Sequence, residues 1–148
     1  MADRDNPPYG AEGNRERGAI KKDWGGKTSI ALVYPNVYRT AMSNLGYQLL
    51  YALLNKKSNI VAERVFLPET KGDSLRPEGG KGLVSIESLS PLQRFDVIAF
   101  SLPFENDFPN VLKILELGKI PILQEERNAS HPVVMAGGVT TFLNPEPL

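Results

Sequence analysis

The stretch Thr28–Tyr34 (TSIALVY) is short and almost continuously apolar, and Pro35 follows it. A run of this kind is typical of a β-strand that is buried on both faces, as in a parallel sheet. Similar runs occur at Ile60–Phe66, Phe95–Leu102 and Pro132–Ala136. The sequence therefore predicts a sheet built from at least four strands. Leu83–Glu87 is a candidate for one more short strand.

Two helices are predicted between these strands. Over Ser43–Asn55 the leucines recur at helical spacing and form one apolar stripe, of the kind that packs on a core: Leu45, Leu49, Leu50, Leu53 and Leu54. In the second helix Asp107 is the predicted N-cap and Gly118 the predicted end, with a buried face of Val111, Leu112, Ile114 and Leu115. Strand, helix and strand, repeated, predict an α/β fold with a mostly parallel sheet and helices on its faces.

The first 27 residues differ from the rest. Residues 1–27 are polar, charged and interrupted by Gly and Pro, so we expect an extended and partly disordered arm, attached to the body by Tyr9, Ile20 and Trp24. Residues 28–148 form the predicted α/β domain.

Composition excludes several functions. The chain has 148 residues, 17 basic and 17 acidic, with one histidine and no cysteine. A neutral chain without a basic stripe is not expected to bind nucleic acid or a membrane surface. Without cysteine, this segment has no disulfide and no cysteine-ligated zinc or iron–sulfur cluster, and we expect no metal site in it and a cytoplasmic location.

Small residues follow three of the predicted strands. Ser43 and Gly46 open the first helix, Ser101 and Leu102 end the third strand, and Gly137 and Gly138 follow the last. Parallel sheets bind ligands beyond the carboxyl ends of their strands, so this edge predicts a cofactor crevice. A purely structural explanation is also open, because Gly46 can serve close helix packing and Gly137-Gly138 can be a turn.

No catalytic residue is predicted. Glu105 and Asp107 lie near the crevice, but we expect Glu105 to be solvated and Asp107 to cap its helix. His131, the one histidine, precedes the last strand at the end away from the crevice and is interpreted as a surface residue.

Four segments carry a family resemblance, and they are YPNVYRTAMSNLGYQLLYALLN, VAERVFLP, SIESLSPLQRFDVIAFSLPFENDFPNVLKILELGKIP and HPVVMAGGVTTFLNPEPL. From about Tyr9 to Leu148 the chain resembles the N-terminal region of uncharacterised radical S-adenosylmethionine (SAM) proteins, in which a cobalamin-binding-like domain precedes an iron–sulfur barrel. The resemblance implies a flavodoxin-like (Rossmann-like), doubly wound sheet.

The resemblance also implies a cofactor and its contacts. Classical cobalamin domains carry Asp-x-His-x-x-Gly in the first loop, and with Gly46 as its glycine, Ser43 stands at the position of the cobalt-ligating histidine. Ser101-Leu102 approximates their Ser-x-Leu motif, and Gly137-Gly138 matches their Gly-Gly motif. Cobalamin would therefore be bound through Ser43, Gly46, Ser101, Leu102, Gly137 and Gly138, without a histidine ligand.

The same family implies what this segment lacks. Its members continue into a barrel whose cysteines hold a [4Fe-4S] cluster that cleaves S-adenosylmethionine, so the domain is expected to be truncated before its last helix or strand and before that barrel. This segment would not be catalytic on its own, and the barrel of the same chain would be its partner. Two alternatives remain open, namely a ligand-free docking or substrate-gating module on the barrel and a free-standing flavodoxin-like flavin binder.

Overall fold

The computed structural model describes residues 18–68 and 82–147. In chain order the elements are β1 (Thr28–Val37), α1 (Tyr38–Met42), α2 (Leu45–Lys56), β2 (Ile60–Leu67), β3 (Val97–Ser101), α3 (Phe108–Leu117), β4 (Val133–Gly137) and α4 (Val139–Leu143). Short 3-10 turns lie at Leu92–Arg94, Glu105–Asp107 and Gln124–Glu126. Tyr9, proposed as an attachment point of the arm, lies outside the described residues.

The four strands form one parallel sheet in the order β2-β1-β3-β4. The chain passes from β1 to β2 in one direction and then returns to place β3 on the other side of β1. This is the strand order of flavodoxin-like sheets, and it confirms the predicted fold class. Leu83–Glu87 is not a strand, because Val84 forms a single isolated bridge with Pro91 there.

Helices cover both faces of the sheet. In β1, Ala31 and Val33 belong to the core cluster that includes Val111, Ile114 and Leu115 of α3. Leu32 and Tyr34 belong to the cluster that includes Tyr47 and Tyr51 of α2. β1 is therefore buried on both faces, as its continuous apolar run predicts. β4 departs from that expectation, because four of its five residues are exposed.

The apolar stripe predicted for α2 is wrong at four of its five leucines, and only Leu54 packs on the core. Leu45 is 78% exposed and Leu49 is 56% exposed, and Leu50 and Leu53 are exposed as well. The buried residues of the helix are Tyr47, Tyr51 and Asn55. The physical reason is that these three side chains find hydrogen-bond partners inside, which an aliphatic pattern does not reveal.

In α3 the predicted stripe is mostly correct. Val111, Ile114 and Leu115 are buried, and the C-cap is Gly118, as predicted. Leu112 is the exception, since about half of it is exposed.

The free edge of β2 is covered by the segment 83–90, which brings charged groups into the interior. The Arg64 Nε lies 2.6 Å from Glu87 Oε1, and both side chains are almost fully buried. The Arg64 amide also donates to Glu87, and its guanidinium lies 4.6 Å from the centre of the Tyr51 ring. Burial raises the pKa of Glu87, and the charge of Arg64 opposes that rise.

The described end of the arm is attached as expected. The Trp24 indole packs on Phe95 and its N–H donates to the buried Glu63 carboxylate at 2.8 Å. The Ile20 amide donates to the Tyr51 hydroxyl. Among the described residues, no helix is both long enough and apolar enough to span a membrane.

Candidate functional site

All four strands end at one edge of the sheet because they are parallel. The strand order reverses between β1 and β3, and ligands of parallel sheets bind at this topological switch point. The six residues predicted to contact a cofactor all lie at this edge or just beyond it. Their surroundings divide them into two groups.

Four of the six lie together at the ends of β3 and β4. Ser101 and Gly137 are neighbours in the sheet register. The Leu102 amide donates to the Gly137 carbonyl at 2.8 Å, and the Thr140 hydroxyl donates to the Leu102 carbonyl at 2.6 Å. We refer to Ser101, Leu102, Gly137 and Gly138 as the β3–β4 shelf.

The two glycines of the β3–β4 shelf have different surroundings. A Cβ on Gly137 would meet no heavy atom within 4 Å, so open space lies above it. A Cβ on Gly138 would lie 2.3 Å from the Leu102 carbonyl oxygen, and the φ of Gly138 is 134°. Gly138 is therefore required by backbone packing against Leu102, whereas Gly137 leaves room for a ligand.

The two residues on β3 also differ. Leu102 is 0% exposed, so its side chain belongs to the core and offers no surface in this conformation. Ser101 is half-buried. The accessible part of the shelf is therefore the Ser101 side chain with the exposed backbone of Gly137 and Gly138.

Ser43 and Gly46 lie at the start of α2, which packs on β2, away from the β3–β4 shelf. Their interactions are local: the Ser43 hydroxyl donates to the Thr40 carbonyl at 2.7 Å, and the Gly46 Cα faces the Asn44 side chain. Asn44 is the N-cap of α2 and accepts from the Tyr47 amide. Both Ser43 and Gly46 are exposed.

Two side-chain hydrogen bonds cross the switch point itself. The Asn36 side-chain amide donates to Asp107 Oδ1 at 3.0 Å, and the Asn110 amide donates to the Pro35 carbonyl at 2.9 Å. These bonds join the C-terminal end of β1 to the start of α3. The crevice between β1 and β3 is thus bridged by side chains.

Asp107 corrects the sequence prediction. It precedes α3, but its side chain makes no capping hydrogen bond. It is 3% exposed instead, and its Oδ2 is buried without a hydrogen-bond partner. Burial raises the pKa of Asp107, and hydrogen bonds from Asn36 and Asn110 oppose the rise. Glu105 is exposed, as predicted.

Sequence analysis missed this buried carboxyl because an Asp before a helix is so often a cap. Two asparagines could have revealed it in the sequence. Asn36 comes shortly after the first apolar run, and Asn110 lies three residues beyond Asp107. Nearby, burial raises the pKa of the Tyr34 hydroxyl, a hydrogen bond with Asn44 lowers it and the charge of Asp107 raises it further.

A cavity of about 1150 Å³ lies beside this edge, between α3, β4 and the segment 121–132. Its walls are mainly apolar and include Phe100, Leu112, Ile122, Val134 and Ala136. Ala136 directly precedes Gly137, so this α3–β4 groove adjoins the β3–β4 shelf.

His131 lies at the opposite end of the α3–β4 groove from the shelf. Its Nδ1 accepts from the Asn128 amide at 3.1 Å, and it is half-buried. Six steps of extended chain, or roughly 20 Å, separate it from Gly137. Across residues 18–68 and 82–147, no three His, Cys, Asp or Glu side chains come together as a metal site.

Comparison with known proteins gives one family. The family model described as "Radical SAM proteins, N-terminal" matches residues 46–148, which is more than half of the chain. No curated protein and no solved structure matches the chain.

Proposed function

This chain belongs to the family of N-terminal domains of radical SAM proteins, and from that premise we propose that it holds a cobalamin cofactor at the β3–β4 shelf without a histidine ligand. The family by its description stands ahead of a radical SAM catalytic part in the same protein. In this proposal the [4Fe-4S] cluster and the cleavage of S-adenosylmethionine belong to that part.

The observation that carries the proposal is the open space above Gly137 beside the half-buried Ser101. A residue without a side chain lets a broad ring approach the backbone closely. A serine hydroxyl next to it can donate to, or accept from, an amide at the ring edge. Cobalamin has both features, a wide corrin ring and amide groups around it.

The remaining surfaces fit the same cofactor in part. The apolar α3–β4 groove adjoins the shelf and has the volume and character of pockets that take aromatic groups, such as the base of the cobalamin tail. Leu102 does not fit direct contact, because its side chain is buried, and Gly138 offers only its exposed backbone, which packs on Leu102. Ser101 and Gly137 would therefore make the near contacts, and Ser43 and Gly46 would face the cofactor from the α2 side.

His131, at the far end of the groove, is not placed to ligate cobalt from below the shelf. When bound, cobalamin supplies a cobalt centre that can carry an alkyl group. The chain's own contribution would be to bind and orient that cofactor.

The test is cofactor uptake. The protein is mixed with hydroxocobalamin and gel-filtered, and corrin absorbance is expected to co-elute with it. Gly137→Trp fills the open space while leaving the fold intact and is expected to abolish uptake. Lys113→Trp, which places the same side chain on the exposed side of α3, is expected to leave uptake unchanged. If the protein with its radical SAM part retains no corrin, the cobalamin proposal is wrong.

A second function, a ligand-free docking or substrate-gating module, is favoured by a separate observation. The Asn36–Asp107 hydrogen bond bridges the switch point, and the Leu102–Gly138 contact fills part of the shelf. Under this alternative Gly137→Trp changes no ligand content and alters only the contact with the radical SAM part.

A further inference from the structure

The α3–β4 groove is apolar along most of its length and polar at one end. Leu115 of α3 and Val134 of β4 are among its apolar walls. Along β4 these walls extend over four residue steps, or roughly 13 Å, from Pro132 to Ala136. At the end away from the β3–β4 shelf, the segment 121–132 adds Arg127 and His131 to the lining. We refer to the part lined by Arg127 and His131 as the polar end of the groove.

Arg127 is half-buried and carries a charge that no carboxylate neutralises. Its Nε donates to the Pro121 carbonyl at 2.9 Å and its Nη2 donates to the Ile122 carbonyl at 2.7 Å. Within the part of the chain that the structure describes, no Asp or Glu oxygen pairs with it, although Glu125 and Glu126 precede it and are exposed. The two carbonyls orient the guanidinium without cancelling its charge, and they use two of its five N–H donors. The remaining donors form the fork that suits a carboxylate or a phosphate.

His131 supplies a second donor at the same end. The Asn128 N–H donates to His131 Nδ1 at 3.1 Å, and the His131 N–H donates back to the Asn128 carbonyl at 3.0 Å. Because Nδ1 accepts, the hydrogen of the neutral ring lies on Nε2, which can donate. These bonds hold the imidazole beside the turn that carries Arg127. The polar end therefore combines a guanidinium charge with an imidazole N–H.

We propose that the α3–β4 groove binds a small amphipathic anion, with its apolar body between α3 and β4 and its carboxylate or phosphate head on Arg127 and His131. Small-molecule sites are mainly apolar, with a few polar groups that fix the orientation of the ligand. The groove has this composition, and its volume of about 1150 Å³ accommodates such a molecule. The inference goes beyond the proposed function, which uses the shelf and the shelf end of the groove.

The surroundings of Arg127 favour a small ligand over an extended polyanion. Glu125 and Glu126 are exposed next to it, and Glu125 also lines the groove. An anionic membrane surface or a nucleic acid would meet these two carboxylates together with the single guanidinium, and like charges would repel. A single head group can reach the guanidinium alone. The neutral charge of the whole chain agrees with this choice.

The test measures binding by isothermal titration calorimetry, with the protein that carries its radical SAM part. The probes are octanoate, octyl phosphate and octanamide, which share an eight-carbon body and differ in the head group. Both anions are expected to bind about tenfold or more tightly than the neutral octanamide, because only they form charge-assisted hydrogen bonds with Arg127. The tighter anion identifies the head group. Hexanoate, two methylenes shorter than octanoate, is expected to bind about tenfold more weakly than octanoate.

Variants locate the head group. Arg127→Gln is expected to remove the preference for octanoate over octanamide and to leave octanamide binding unchanged. Arg127→Lys keeps the charge without the fork and is expected to retain part of the preference. His131→Phe removes the second donor, and a loss of about threefold in octanoate affinity is expected. Arg94→Gln, the same change at an exposed arginine outside the groove, is the matched control and is expected to bind like the parent.

Several results would overturn the proposal. These are no octanoate binding by the parent protein, equal affinities for octanoate and octanamide, and a preference that survives in Arg127→Gln or disappears in Arg127→Lys. Hydroxocobalamin uptake, measured in parallel, separates this inference from the cofactor assignment. Corrin uptake without octanoate binding overturns this inference alone, and octanoate binding without corrin uptake overturns the cofactor assignment alone.

Discussion

Helices α2 and α3 occupy equivalent places, each connecting two parallel strands, yet they bury different chemistry. The inner side of α3 is aliphatic, with Val111, Ile114 and Leu115 in the core. The buried residues of α2 are two tyrosines and an asparagine, and four of its five leucines face outward.

The difference follows from hydrogen bonding. The Tyr47 hydroxyl donates to the Leu32 carbonyl at 2.8 Å, and the Asn55 side chain exchanges hydrogen bonds with both backbone groups of Ala62. Buried polar groups are stable when they are paired in this way. A helix with two apolar sides can therefore place its aromatic side on the sheet and leave most of its leucines outside.

The largest expected effect tests which side of α2 is inside. Tyr47→Ala removes a buried ring and a hydrogen bond, and we expect it to lower the free energy of unfolding by about 3–5 kcal/mol. Leu49→Ala in the same 148-residue chain is expected to change it by less than about 1 kcal/mol. Urea unfolding followed by circular dichroism measures both. Equal losses would show that the leucines are buried after all.

The second test concerns the ion pair beneath the segment that covers β2. Glu87→Ala leaves the Arg64 charge buried without its partner, so a loss of about 3–5 kcal/mol is expected. Glu105→Ala, at an exposed carboxylate, is the control and is expected to stay within about 0.5 kcal/mol of the parent chain. A Glu87→Ala chain of unchanged stability would contradict the buried pair.

The third test compares the two shelf glycines. Gly138→Ala places a Cβ against the Leu102 backbone at a positive φ, and a loss of about 1–3 kcal/mol is expected. Gly137→Ala meets open space and is expected to change the unfolding free energy by less than about 1 kcal/mol. Thermal unfolding ranks the stabilities of the two variants. A larger loss for Gly137→Ala would contradict the described surroundings of the two glycines.

The smallest effect is a pH dependence at the switch point. The pKa of Asp107 is raised in the folded state, so its contribution to stability is present below the ordinary value of 3.8 and is lost as pH rises through the folded pKa. Asp107→Asn cannot ionise, and it keeps an oxygen for the Asn36 bond. Its stability relative to the parent is expected to improve from pH 4 to pH 7 in urea titrations. If the difference in unfolding free energy between the variant and the parent did not change with pH, the buried carboxylate would be contradicted.

Much of the fold followed from the sequence. The apolar runs predicted β1, β2, β3 and β4, and parallel strands predicted that Ser101 and Gly137 would lie at the same edge of the sheet. The inner side of α2 did not follow, because its tyrosines are held by partners far away in the sequence. Asp107 was missed for the same reason, since its partner Asn36 lies at the end of β1, 71 residues away in the sequence.

The outward orientation of the α2 leucines is the claim on which the comparison of the two helices depends. Hydroxyl-radical footprinting of the 148-residue chain tests it directly, by comparing the oxidation of Leu45, Leu49 and Leu53 with that of the buried Leu32. We predict that the three α2 leucines are oxidised much faster than Leu32. Protection of the three close to that of Leu32 would contradict the account.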